Sequence, residues 1–295
     1  MTARTPRLSA AALALALTLA GACDSDDDTD AGAPPAEQPG ASGTTTPGNG
    51  NTAPGSTPVP VPTTPGPGES ETPTPTAPQR PAVNPAGPVG SFGPVILDPA
   101  VAVRLDILVE DGAAPTERTT EAVAATLGEV SGKAVVTKRP AAVPGAGPWT
   151  ADKIRQAGAD VGGRSTGSEA VLRLLFLTGE FADEPSAIGV AVDATTAAVF
   201  TDKVEQARGL LGDRTRFETA VATHELGHLL GLVDLVLDTG REDPEHPGHS
   251  RSRDSVMFWA VESDLIGSLL GGGPPTTFDA ADRADLVAIG RRSGG

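Results

Sequence analysis

The sequence predicts an α+β domain carried at the end of a long extended tether. Three observations lead there. Proline, 28 of the 295 residues, crowds into the part before residue 94, and ordinary globular composition follows. Beyond that break, apolar residues recur alternately at the strand period of two and at the helical period of 3.6. One run, "AVLRLLFLTGEF" (170–181), is almost wholly apolar, as in a strand covered on both faces. The expected organisation is therefore a signal peptide over 1–22, a spacer over 23–93, and one domain over 94–295, long enough to bury its own core.

Residues 1–22 place Arg4 and Arg7 before a short Leu/Ala run that ends in small residues, the pattern of an export signal too short to span a bilayer comfortably. Cys23 is the only cysteine, so no intramolecular disulfide is available. "LAGAC" (19–23) resembles the lipobox of bacterial lipoproteins, with Ala20 where a larger aliphatic residue is usual. The resemblance implies a lipid on Cys23 and an extracytoplasmic, membrane-anchored protein; the alternative is an ordinary secreted chain. Residues 24–93 combine Asp, Thr, Pro, Gly, Ala and Ser, with acidic side chains set against the single Arg80. Such a segment cannot bury a core, and its repeated TP and PG pairs favour extended chain. The formal net charge of −16 argues against a nucleic-acid or anionic-membrane partner, because both would repel it.

In the domain, "VRLDILVE" (103–110) alternates Val103, Leu105, Ile107 and Val109 and reads as a strand. Residues 116–132 read as a helix capped by Thr116 and closed by Gly132, with Val123, Ala124 and Leu127 on one face. A second strand follows at 133–139, a short helix begun by Thr150 at 150–161, and the apolar strand at 170–181. "AIGVAVDATTAAVFTD" (187–202) reads as two short strands around a polar turn. The segment "TRFETAVATHELGHLLGL" (215–232) reads as a buried helix, since Phe217, Val221, His224 and His228 form one stripe and Ala222, Leu226 and Leu230 another. Thr215 and Glu218 have capping-box spacing. A last helix, capped by Asp279, runs to about Ile289.

"HELGH" (224–228) carries the chemistry. Two of the four histidines, His224 and His228, stand at i and i+4, so both imidazoles can converge on one tetrahedral metal ion. Glu225 is rotated around the helix from that pair, where it can serve a water on the metal as general base. Packed or surface histidines are the plainer explanation, but the motif sits between a helix cap and Gly231, the context that metal-dependent hydrolysis requires.

These residues resemble the signature of the metzincin metallopeptidases, HExxHxxGxx followed by His or Asp and then a Met-turn. "HELGHLLGLVD" (224–234) fits with Asp234 as third ligand, as in the snapalysin-like branch. "HSRSRDSVM" (249–257) competes: His249 precedes Met257 at the spacing seen in matrixins and archaemetzincins, with Ser250 and Ser255 where archaemetzincins carry cysteines. His249 is favoured over Asp234 and His246, because Asp234 lies too far before Met257 for the compact Asp version. The alternative role for Asp234 is to hydrogen-bond a ligand histidine, and "DPEH" (243–246) reads as a solvated acidic loop. The resemblance implies a metzincin-like (zincin) domain with a twisted, mostly parallel mixed sheet, an antiparallel edge strand near 187–192, an active-site helix and a C-terminal helix. It also implies zinc held by His224, His228 and His249, Glu225 as catalytic base, Met257 beneath the ligands, Trp259 near the pocket, and a peptide or protein substrate. No tyrosine is present to assist at the metal. The expected function is that of a zinc-dependent metalloendopeptidase; the alternative is a non-catalytic zinc-binding surface lipoprotein that recognises a partner. Oligomeric state is not legible.

Overall fold

The computed structural model describes residues 87–138, 142–145, 147–209, 212–263, 266 and 273–294. The export signal, Cys23 and nearly all of the spacer lie outside the described residues. A five-stranded sheet organises the domain: β1 (Ala102–Val109), β2 (Val135–Lys138), β3 (Glu169–Leu177), β4 (Gly189–Ala191) and β5 (Thr196–Phe200), in the order β2-β1-β3-β5-β4. The pairings β1–β2, β1–β3 and β3–β5 are parallel, and β4 runs antiparallel along β5 at the edge. This is the mostly parallel sheet with an antiparallel edge strand that the family resemblance implies.

Strand alternation sorts side chains to the two faces. Leu172, Leu174 and Phe176 of β3 join Ala197 and Val199 of β5 in the larger core, while Leu175 and Leu177 join Ala198 and Phe200 in the smaller. The larger core is roofed by α2 (Glu117–Ser131) and α5 (Arg214–Leu230), the smaller by α3 (Ala151–Val161). The remaining helices are α1 (Gly93–Leu97), α4 (Thr201–Arg208) and α6 (Ala280–Gly290). No helix among the described residues is long and apolar enough to cross a membrane.

The side-chain caps read at three helices are present. Thr116 and Thr150 accept from the backbone N–H groups three residues on, and Asp279 forms a full capping box with Asp282. At α5 the start differs. Asp213 is the cap, accepting from Thr215 N, and Glu218 instead accepts from Thr116 N, Thr119 Oγ1 and Arg214 Nε. A buried carboxylate takes the strongest donors within reach, and here those come from α2 as well as from its own helix. The helix α4 follows β5 without a break or a side-chain cap, which is why the strand pattern hid it. The strand β3 ends at Leu177, and Phe181 instead bridges Trp149.

Residues 87–92, read as the end of the spacer, pack in the domain. Phe92 is buried, and Gly93 of α1 lies so close to α5 that a Cβ there would overlap the carbonyl of Leu230. Gly93→Ala should therefore lower stability by about 1–3 kcal/mol, the usual range for overpacking. Urea unfolding of the two chains measures this, and an unchanged midpoint would mean that α1 does not seat on α5.

Candidate metal centre

The helix α5 is buried from Phe217 to Leu230, which places His224, Glu225 and His228 deep in the domain. Its length carries them beneath the sheet edge, and Gly231 ends it in the left-handed region at φ 88°, hydrogen-bonding back to the last turn. The chain returns to the left-handed region at Val233 (φ 54°) and Asp234 (φ 62°), a conformation L residues seldom adopt. The Asp234 carboxylate fixes this turn by accepting from both N and Oγ1 of Thr239, at 2.7 Å each.

The segment that follows is not a loose acidic loop. Glu242–Asp243 and His246–Ser250 form an antiparallel hairpin, β6 and β7, around Pro244 and Glu245. Gly248 N donates to Glu242 Oε1 at 2.6 Å, and Arg251 donates to the carbonyls of Gly240 and Glu242. The end of β7 is pinned to the Met257 region, because Ser250 N donates to Met257 O at 2.8 Å and Ser250 bridges Phe258. His249 is thereby carried against α5, with its ring centroid 5.2 Å from that of His224 and 5.1 Å from that of His228.

The donor set converges. His224 Nδ1 donates to the carbonyl of Val256 at 2.7 Å, which leaves Nε2 with a lone pair. That Nε2 lies 3.0 Å from His228 Nε2. Two imidazole nitrogens about 2.0–2.1 Å from one zinc ion at the tetrahedral angle stand about 3.3 Å apart, close to this spacing. Glu262 completes the group: its Oε1 lies 2.7 Å from His249 Nε2, and its Oε2 lies 3.5 Å and 3.9 Å from Nε2 of His224 and His228. One ligand atom from each of His224, His228, His249 and Glu262 falls within 4.8 Å of every other, so the four could hold a metal ion.

The other sequence candidates go elsewhere. Asp234 is spent on Thr239, not on a ligand histidine, and those hydrogen bonds hold its carboxyl below the usual value although burial pushes the other way. His246 pairs with Asp243 at 3.1 Å and stacks on Trp259 at 4.2 Å between centroids. Trp259 therefore meets a histidine that the sequence left as a ligand candidate. Glu262 was missed altogether, since a lone carboxylate shortly after Met257 belongs to no spacing pattern.

Glu225 stands apart from that group. Its carboxylate is fully buried against Gly189 of β4, neither oxygen has a hydrogen-bond partner among the described residues, and a Cβ on Gly189 would overlap it. Burial, and then the nearby Glu262 carboxylate, push its pKa well above the ordinary range. Glu262 moves the opposite way: burial would raise it, but the neighbouring imidazoles of His224 and His249 hold it well below. Burial, then the neighbouring rings of His224 and His249, hold His228 well below a free imidazole. The protein's own donors thus leave one carboxylate orphaned and crowd three imidazoles together, an arrangement that a dication satisfies and that a packed core does not require.

Next to this cluster, Met257 is buried against Gly227, the residue between Leu226 and His228, and a Cβ on Gly227 would overlap its sulfur. Ser255 fixes that turn, donating from Oγ to Asp282 and accepting from Met257 N. Asp282 in turn pairs with Arg241 at the base of the hairpin, at 3.0 Å. One network joins the hairpin, the Met257 turn and α6.

No family model matches the chain, and no curated protein matches it. Among solved structures, an archaemetzincin from Methanopyrus kandleri is 19% identical over 65% of this chain and 97% of that one, with a TM-score of 0.46. An archaemetzincin from Archaeoglobus fulgidus, complexed with malonate, is 15% identical over 62% and 99%, with a TM-score of 0.36.

Gly227→Ala should destabilise the domain by about 1–3 kcal/mol through the displaced Met257, and pairing it with Met257→Ala should recover part of that loss. A double-mutant cycle in urea measures the coupling; strictly additive losses would mean that the sulfur does not press on that turn.

Proposed function

We propose that this domain is a zinc-dependent endopeptidase, with His224, His228 and His249 as metal ligands and Glu225 as general base. The observation that carries the reading is a buried carboxylate with no hydrogen-bond partner among the described residues, standing beside three converging imidazoles. Three converging imidazoles, two of them with nitrogens at near-tetrahedral spacing, suit zinc, which when bound polarises a carbonyl and makes a coordinated water acidic near neutral pH.

The remaining work falls to the chain. The Val256 carbonyl orients His224 so that its Nε2 faces the metal position. Glu225 holds its carboxylate where no protein donor competes for it, so it can accept a proton from the attacking water and deliver it to the leaving amine. The edge strand β4 offers its open side to an extended peptide, and Gly189 keeps that strand close to Glu225. We further place this domain outside a bacterial cell, anchored through a lipid on Cys23 and held away from the membrane by the spacer; a secreted form is the alternative.

One observation favours a second reading, a non-catalytic zinc-binding surface protein. Glu262 supplies a fourth donor, and closed four-ligand zinc sites are usually structural. Glu225 weighs against it, because a closed structural site has no use for a buried base.

Glu225→Ala should retain zinc while peptide cleavage falls about 10²–10⁴-fold; full activity in that variant would remove the base from the mechanism. In purified protein, His249→Ala should lose zinc, whereas Asp234→Asn and His246→Ala should keep it. Plasma emission spectroscopy reads the metal, and zinc loss from Asp234→Asn with retention in His249→Ala would reassign the third ligand. The mass of the mature N-terminus, measured on protein from membranes, tests the anchor: a chain that does not begin at a lipidated Cys23 ends that part.

A further inference from the structure

Glu262 is not a loose surface acid. It ends the 3-10 turn Trp259–Glu262, whose Ala260 and Val261 are buried. Its carbonyl accepts from Ile188 N at 2.8 Å, and the next residue, Ser263, bridges Ala187 in antiparallel fashion. The backbone of Glu262 is therefore paired with the start of the edge strand, one residue before Gly189 faces Glu225. From that anchor the side chain reaches all three imidazoles, yet it remains 27% exposed, so it has a path to solvent.

We propose that Glu262 is the fourth protein ligand of the resting metal site, and that it is the ligand an incoming peptide displaces. The inference rests on the metal reading of His224, His228 and His249 and adds a residue that no sequence pattern marks. The geometry carries two consequences. The carboxylate holds the coordination position that water or a peptide carbonyl needs, so the resting site is closed. The same residue's backbone holds the end of the edge strand where an extended peptide would continue its pairing, so a peptide seated on β4 presses on the segment that carries the ligand. Closure and substrate binding thus meet in one residue, and opening requires only that the carboxylate swing toward solvent.

The test uses the full chain, stripped of metal and loaded with cobalt(II), as wild type, Glu262→Gln and Glu262→Ala, with circular dichroism showing that each is folded. Both variants should bind one cobalt ion about tenfold or more weakly, at least the loss that removing a partner of a metal ligand produces. Their visible absorption should shift from that of the wild type. Acetohydroxamate, a small bidentate metal ligand, should bind cobalt-loaded Glu262→Ala at least about tenfold more tightly than wild type, since no carboxylate has to leave first. Identical spectra and affinities in all three loaded chains would remove Glu262 from the metal and overturn the proposal alone. Shifted spectra with equal hydroxamate affinity would overturn the displacement step. A wild-type chain that binds no metal would overturn the metal reading and this proposal with it.

Discussion

Four ionisable side chains, His224, His228, His249 and Glu262, converge near the buried Glu225, and withdrawing that many from water governs what can pack around them. The protein groups by themselves reach only a partial settlement. One carboxylate is held ionised by imidazoles, the other is driven toward its protonated form, and His228 is driven toward neutrality. A polar cluster so incompletely satisfied costs stability unless a ligand completes it, which is the physical reason to regard it as a binding site.

The surrounding structure serves to hold those groups in place. Gly189, Gly227 and Gly93 each remove a side chain where another element must come close: the Glu225 carboxylate, the Met257 sulfur and the end of α5, respectively. Ser255, Asp282 and Arg241 tie the turn below the ligands to the hairpin that delivers His249 and to the last helix. Rigidity in the supporting shell matters because a ligand set holds its geometry only as well as its neighbours do.

The domain also shows how one short segment can carry several duties. From Met257 to Ser263 the chain supplies the floor of the site, a core turn, a carboxylate facing the histidines and a short pairing with the edge strand. A residue change in this stretch therefore acts on several of these contacts at once, and its effects on folding and on the metal site are coupled.

Much of this was legible in the sequence, and the boundary between what was and what was not is physical. The caps at Thr116, Thr150 and Asp279, the covered strand β3 and the pair His224/His228 all follow from local rules, in which residues a few positions apart must share a face or a terminus, whereas the edge place of β4 came only with the family resemblance. The spacing to Met257 favoured His249 over Asp234 and His246, but the choice depends on a hairpin read as loop, because the strand period cannot register in β6, two residues long, or in "HPGHS". The start of α5 at Asp213 and the use of Glu218 by α2 depended on donors from a distant helix. Glu262 was beyond reach altogether: its place beside three imidazoles is set by backbone pairing with Ile188 and by the turn after Met257, and contacts between residues so far apart in the chain leave no periodic trace in it.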